Sequence, residues 1–363
     1  MLISYGWSDA LQNDFEPFAA RGLAAARVIV QQRGQYRIAA GSGEAWAHIA
    51  GRFAHEAADG GYPVTGDWVA VEATSGAGGD RAVIHAVLPR RTVFERREAG
   101  PAGGLQVVAA NVDTALIAAS LNADLNLRRL ERYLATAYES GAEPVIVLTK
   151  ADLCADVAAG VEAVQAIAFG VPVLAVSAAT GEGLIALDAL LAQGRTAVLL
   201  GSSGVGKSTL VNALAGQDLM VTRAIREDDA RGRHTTTHRE LILLPSGALI
   251  LDTPGMRELG LWDAGGGVEQ AFADVTADVE RLAEGCRFRD CRHEREPGCA
   301  VQAALADGAL DAERWRSYGK LQRELAHEAR KQDPIAREAE RRRWIAIHKS
   351  AKAHMRTKRD PGG

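Results

Sequence analysis

The chain has 363 residues, four of them cysteine, with 47% hydrophobic residues, 24% charged residues and a formal net charge of −4. At about 150 residues per domain this length predicts two or three domains, and the composition excludes both wholesale disorder and a disulfide framework. No apolar run resembling an export leader follows Met1 and none approaches the ~18 residues of a membrane span, so a cytoplasmic chain without a membrane partner is expected.

Residues 1–22 carry no assignable motif and read as an N-terminal extension. From 23 to 100 the pattern is β-like, in short segments at 26–31, 35–40, 44–50, 67–72 and 81–88, parted by turn-rich stretches such as 41–43 and 74–80. Five short strands in so little chain suit a small barrel. The OB-fold is the commonest five-stranded one, and an SH3-like barrel would read much the same. Arg90, Arg91, Arg96 and Arg97 give the last strand a basic exit.

From 101 to 262 strand-like and helix-like segments alternate. Residues 114–120 read as a buried parallel strand, and Leu127, Leu130, Tyr133, Leu134 and Ala137 then recur at helical spacing. Further strands are predicted at 144–149, 171–176 and 196–200, with one helix running to about 169 and another at 184–191. This is a doubly wound α/β domain on a parallel sheet. Residues 263–363 read as a polar helical domain built around a Cys/His cluster and ending in a basic tail. Residues 311–359 hold 15 Lys and Arg against 7 Asp and Glu, an excess of eight that leaves −12 for the rest of a chain totalling −4. Such a run is either a solvated helix face or an electrostatic footprint for nucleic acid, and charge alone does not decide.

Gly201-Ser202-Ser203-Gly204-Val205-Gly206-Lys207-Ser208, followed by Thr209, satisfies the P-loop pattern G-x-x-x-x-G-K-[ST] between a strand and a helix. Backbone N–H groups of such a loop cradle the β-phosphate, a lysine (here Lys207) bridges the β- and γ-phosphates, and the Ser208 hydroxyl ligates Mg²⁺. Asp252-Thr253-Pro254-Gly255 closes a strand at 248–251. P-loop proteins keep there an acid linked to Mg²⁺ through water, and a glycine N–H that senses the γ-phosphate.

Thr149-Lys150-Ala151-Asp152 closes the strand at 144–149 and matches [NT]-K-x-D, in which the Asp carboxylate accepts from guanine N1–H and N2–H₂. Adenine offers neither donor, so ATP would leave Asp152 desolvated and unpaired, and GTP is favoured. Ser177-Ala178, after the next strand, is the companion pair whose backbone N–H reaches guanine O6. The order is unusual: the base-reading motifs at 149 and 177 precede the P-loop at 201 and the D-x-x-G at 252. The sheet has been cut and rejoined, a circular permutation, and the segment after Asp252 feeds directly into the C-terminal domain.

Between P-loop and Asp252 lies Gly232-Arg233-His234-Thr235-Thr236-Thr237. A threonine there, taken as Thr236, can place its hydroxyl on Mg²⁺ and its N–H on the γ-phosphate, ordering the loop only with triphosphate bound. Met256 stands where many GTPases carry a water-orienting Gln, which leaves His234 as the candidate catalytic residue. Cys286-x₄-Cys291-x-His293-x₅-Cys299 supplies a closed tetrahedral Cys₃His set with no vacant position, so one structural Zn²⁺ per chain is expected.

Together these features closely resemble the RsgA family, the small-ribosomal-subunit-dependent circularly permuted GTPases. The resemblance rests on the barrel, the permuted motif order, G-R-H-T-T-T, D-T-P-G-M-R-E and C-x₄-C-x-H-x₅-C. It implies a GTPase that binds the 30S subunit and its 16S rRNA, assists late maturation, and hydrolyses GTP to GDP faster on the subunit than alone. It also supports His234 as the hydrolysis histidine. A monomer is expected. Thr149 departs from the commoner Asn, which puts the contact to guanine N7 in question. Two other readings stand beside this one: an RNA-binding module in which GTP is only a conformational ligand, and a zinc-stabilised ATPase acting on something other than RNA.

Overall fold

The alternation of the N-terminal strands closes them into a ring. In the computed structural model, which describes residues 1–32, 34–57, 61–74, 81–97, 105–122, 125–219, 239–252 and 265–332, a 3-10 turn (Leu2–Tyr5) and helix α1 (Asp9–Ala19) precede strands β1 (Ala24–Gln32), β2 (Gln35–Ala40) and β3 (Gly43–Ile49). Helix α2 (Gly51–Glu56) leads to β4 (Trp68–Thr74) and β5 (Arg81–Val87). β1 pairs antiparallel with both β2 and β4, while β3 pairs in parallel with β5 and β5 antiparallel with β4, so the five strands form a closed OB-type barrel. Val28, Tyr36, Ile38, Ala47, Val69 and Ile84 fill it. β1 loses the alternation because both its faces are covered: Ala26 and Val28 point into the barrel, and Ala25 and Ile29 pack into the main core.

The basic exit from the barrel is largely consumed inside the fold. The Arg90 guanidinium grips the buried Asp67 carboxylate through Nε at 2.9 Å and Nη2 at 2.8 Å. Arg91 donates to Ser8 Oγ and Arg96 to Gln106 Oε1. A hairpin of β6 (Val93–Arg97) and β7 (Leu105–Ala110), not legible as such in the sequence, joins the barrel to the next unit.

That unit comprises β8 (Thr114–Ser120), α3 (Leu127–Ser140), β9 (Glu143–Thr149), α4 (Val157–Gln165), β10 (Val173–Ala175), α5 (Leu184–Leu190), β11 (Thr196–Leu200), α6 (Lys207–Ala215), β12 (Arg239–Leu243) and β13 (Leu249–Asp252). Its strand order is β10-β9-β8-β11-β13-β12, parallel except for β12. Alternate strand residues serve opposite faces: Ile117, Ile146 and Val198 face one core, while Leu116, Val147 and Leu199 pack with Leu187 and Leu210 of α5 and α6 in the other. The sheet does not stop at β12. Its residues Arg239 and Glu240 pair with Gln31 and Val30 of β1, so barrel and α/β sheet form one eleven-stranded sheet.

Helices α7 (Gly265–Ala271), α8 (Ala273–Ala283), α9 (Ala300–Asp307) and α10 (Ala312–Gln332) complete the described chain. α7 lies so close to α3 that a Cβ on Gly267 would collide with the Ala135 carbonyl. α10 is tied to α3 by Arg132, which grips Glu324 through both nitrogens at 2.7 and 3.1 Å, and by the Ser317 hydroxyl, which donates to the buried Glu131 carboxylate at 2.5 Å. None of the described helices is long and apolar enough to cross a membrane.

Arg27 binds four parts of the chain together. Its guanidinium donates to the carbonyls of Tyr5, Gly66 (3.3 Å) and Asn111 (3.1 Å) and to Thr196 Oγ1 (2.8 Å). Burial pushes its pKa down to about 10, against the raising effect of Asp113 and Asp67, so it stays charged at neutral pH. The N-terminal extension, silent in sequence, is thus an anchored cap over the barrel and sheet junction.

Candidate functional site

The carboxyl ends of the parallel strands gather the sequence-predicted motifs, as open α/β sheets generally do. β11 delivers Gly201 at φ 139°, and a Cβ there would strike the Ala118 carbonyl of β8, so the loop needs glycine to pass the neighbouring strand. The turn through Ser202, Ser203, Gly204, Val205 and Gly206 ends at Lys207, the first residue of α6, with Ser208 and Thr209 next in that first turn. Backbone N–H groups at a helix start favour anionic groups. The Lys207 ammonium lies 2.6 Å from both the Gly201 and the Ser202 carbonyl oxygens, a position inside the loop's own curve.

The base-reading segments meet this loop directly. Ser120 pairs with Thr149 across β8 and β9, which brings the T-K-x-D turn beside the P-loop. The Thr149 hydroxyl donates to the Val205 carbonyl at 2.5 Å, and Lys150 Nζ to the Gly204 carbonyl at 2.8 Å. Lys150 itself sits at φ 59°, which turns the chain so that Ala151 is buried and Asp152 is exposed. Fully buried Ser177 donates through Oγ to Asp152 Oδ1 at 2.6 Å, fixing the carboxylate and leaving Oδ2 and the second lone pair of Oδ1 for other donors. Ala178 follows in the same turn. β13 ends at Asp252, parallel to the strand that delivers the P-loop. His234, Thr236 and Gly255, with the stretch 220–233, lie outside the described residues.

One residue at this site escaped the sequence reading. Arg129, in the first turn of α3, donates through Nη1 to Ser202 Oγ at 2.8 Å. Nothing in the local sequence distinguishes it from its neighbours Arg128 and Arg132, because the contact spans 73 positions.

The Cys/His set converges as well. The ligand atoms of Cys286, Cys291, His293 and Cys299 all lie within 4.8 Å of one another. Cys286 Sγ is 3.7 Å from His293 Nδ1 and 3.9 Å from Cys299 Sγ, and Cys299 Sγ is 3.5 Å from His293 Nδ1. Zinc bonds of about 2.3 Å to sulfur and about 2.0 Å to nitrogen at tetrahedral angles put ligands about 3.5–3.8 Å apart. The donor set therefore fits Zn²⁺. His293 is held at φ 61° while its carbonyl accepts from Gln302 Nε2 at 2.5 Å, and the Glu296 carboxylate accepts from the N–H groups of Arg292, Glu294 and Arg295. The loop is built around the four ligands.

Residues 87–262 match the family model described as RsgA GTPase. The chain is 50% identical over 366 residues to the small ribosomal subunit biogenesis GTPase RsgA of Opitutus terrae, covering 98% of each. The chain belongs to the RsgA GTPase family. The corresponding protein of Streptomyces coelicolor is 48% identical, over 99% of this chain and 96% of its own. Among solved structures, YjeQ from Thermotoga maritima superposes with a TM-score of 0.60 at 26% identity, covering 84% of this chain and 99% of that one. YloQ, described as a circularly permuted GTPase, gives 0.57 at 25% identity, covering 84% and 96%. As an RsgA GTPase with the permuted motif order, the chain is a GTP hydrolase acting on an acid anhydride.

Proposed function

We propose that this GTPase binds the 30S ribosomal subunit in the cytoplasm as a monomer, contacts its 16S rRNA, and assists late maturation through GTP hydrolysis stimulated by the subunit. The observation that carries the reading is the joint between β1 and β12. β12 begins at Arg239, two positions after the G-R-H-T-T-T motif ends, and is hydrogen-bonded to the barrel at Val30↔Glu240 and Gln31↔Arg239. Thr65 Oγ1 also donates to the Arg239 carbonyl, at 3.2 Å. A barrel seated on a ribosomal subunit therefore holds the exit of the switch segment, which makes stimulation by the subunit a mechanical consequence of binding. In this reading the chain divides into an extension (1–22), the barrel (23–100), the permuted GTPase domain (101–262) and a zinc-binding helical domain with a basic tail (263–363).

Within the GTPase domain, the loop from Gly201 to Gly206 cradles the phosphates, Lys207 neutralises the β- and γ-phosphates, and Thr209 lies against the nucleotide. Asp152, with Lys150, Ala151, Ser177 and Ala178, reads guanine. Ser208 and Thr236, with Asp252 through water, would hold Mg²⁺, which would supply charge neutralisation on the phosphates. Gly255 senses the γ-phosphate, and His234 orients or polarises the attacking water. Water oxygen bonds to the γ-phosphorus as the bond to the β–γ bridging oxygen breaks, giving GDP and phosphate. Zn²⁺ on Cys286, Cys291, His293 and Cys299 is structural. Co-sedimentation of the full chain with purified 30S and 50S subunits, in GTP, GDP and a non-hydrolysable analogue, tests the reading. Binding to 30S in the GTP form supports it. Equal binding to both subunits, or to neither, contradicts it.

A further inference from the structure

We propose that Arg129 is a positioning residue of the nucleotide site, holding the P-loop in its phosphate-binding curve through the Ser202 hydroxyl. The inference rests on the phosphate-binding reading of Gly201 to Ser208 above and adds to it a side chain from outside the loop. Two side chains reach Ser202. Lys207 Nζ donates to its carbonyl at 2.6 Å, and Arg129 Nη1 donates to its Oγ at 2.8 Å. A lysine that turns to the β- and γ-phosphates leaves the carbonyls of its own loop. With nucleotide bound, Ser202 therefore rests on Arg129.

The loop needs such a hold. Ser203 and Gly204 at its crown are exposed, and a Cβ on Gly204 would meet open space, so packing does not brace the outer curve. Polar contacts brace it instead. Thr149 and Lys150 hold the far limb, through the carbonyls of Val205 and Gly204. Arg129 holds the near limb, at the second residue of the loop. A loop already curved gives up less conformational entropy when phosphates bind in it.

Arg129 can place the loop because its own helix turn is fixed. Asn126 caps α3, its Oδ1 accepting from the Arg129 backbone N–H at 3.1 Å. Arg129, Leu130 and Tyr133 line a cleft against Ser202 and Val205. Arg128, Glu131 and Arg132, on the adjoining face of the same turns, are clamped to α10. Arg128 Nη2 lies 3.4 Å from Glu313, the buried Glu131 carboxylate accepts from both Arg128 Nη1 and the Ser317 hydroxyl, and Arg132 grips Glu324. A side chain that must place a loop needs supporting contacts of this kind. A guanidinium acting only as a charge near the phosphates would not need the Ser202 hydroxyl, so the two roles have different tests.

The test is equilibrium titration of the full-length chain with fluorescent GDP and GTP analogues, beside steady-state turnover. Arg129→Met should weaken both nucleotides about 10-fold, the low end for loss of a hydrogen bond from a charged group. KM for GTP should rise by a similar factor while kcat moves less, the signature of binding lost equally in ground and transition states. Ser202→Ala keeps the loop's N–H groups and the cation, and should show a comparable loss. Ser202→Thr restores a hydroxyl and should recover most of it. In the double variant Arg129→Met with Ser202→Ala the two losses should not add. Thermal unfolding near the parent's in each variant separates loop placement from global damage. Parent-like affinity for GDP and GTP in Arg129→Met overturns the inference. So do parent-like binding by Ser202→Ala or additive losses, which make Arg129 a charge and not a hold, and so does a loss confined to kcat. Lys207→Ala is titrated in parallel. Parent-like binding by that variant removes the phosphate reading and the inference with it, whereas weak binding there beside parent-like Arg129→Met overturns the inference alone.

Discussion

The Thr149 hydroxyl lies 2.5 Å from the Val205 carbonyl oxygen and ties the guanine-reading strand to the P-loop. Thr149 was the one departure from the family pattern that weakened the base-reading motif. Its structural role explains the replacement: a hydroxyl donor suffices to hold the loop, whatever becomes of guanine N7. Thr149→Val keeps the shape and removes the donor, leaving a buried carbonyl unpaired at a cost of about 1–2 kcal/mol. GTP affinity should fall about 5- to 30-fold by fluorescent-nucleotide titration, and Thr149→Ser should retain it.

Asp152 is held by Ser177 at 2.6 Å and is exposed at the open end of the sheet. Asp152→Asn exchanges a double acceptor for a group that must present a donor, and should move preference from guanine toward xanthine. The lost charged hydrogen bonds should cost GTP about 2–3 kcal/mol. Competition between GTP and XTP for the variant checks this, and unchanged guanine selectivity would remove Asp152 from base recognition.

Arg27 predicts a stability effect far from the nucleotide. It is 2% exposed and its partners come from the N-terminal turn, the barrel, the segment after β7 and β11. Arg27→Met removes the charge and strands four acceptors, so the chain should lose about 3–5 kcal/mol. Thermal unfolding should show a clearly lowered transition. A parent-like transition would mean the junction is held by packing alone.

The extent to which these features could be read in advance differs by their cause. The P-loop, T-K-x-D and Cys₃His set were legible because local backbone chemistry fixes their spacing. The barrel strands were legible where one face alone is apolar, as at Tyr36 and Ile38, and the buried runs of the parallel sheet were legible as runs. β1 is different: both its faces are covered, so its burial tells of partners and not of a barrel. The pairing of Val30 with Glu240 and the contact of Arg129 with Ser202 join positions 210 and 73 residues apart, and no periodicity records such pairings. The internal partners of the arginines at 90 and 91 were not legible for a related reason, since Asp67 and Ser8, which engage them, lie 23 and 83 residues away.

The zinc loop gives a prediction separable from catalysis. Cys286→Ser leaves three ligands, so metal analysis should fall from about one zinc per chain to near zero, with loss of helical signal from α8 and α9. Basal GTP hydrolysis should persist, because the P-loop and T-K-x-D contacts lie in the α/β unit. Less than about one zinc in the parent, purified without chelator, would count against a structural site.

In the proposed function the subunit drives hydrolysis through the segment between α6 and β12. The measurement is steady-state GTP turnover by the full chain alone, with 30S and with 50S subunits, run beside His234→Ala. The parent should be accelerated by 30S and not by 50S. His234→Ala should sediment with 30S in the GTP form yet show no acceleration. Equal turnover by the parent with and without 30S would contradict the account, and full acceleration of His234→Ala would remove that histidine from it.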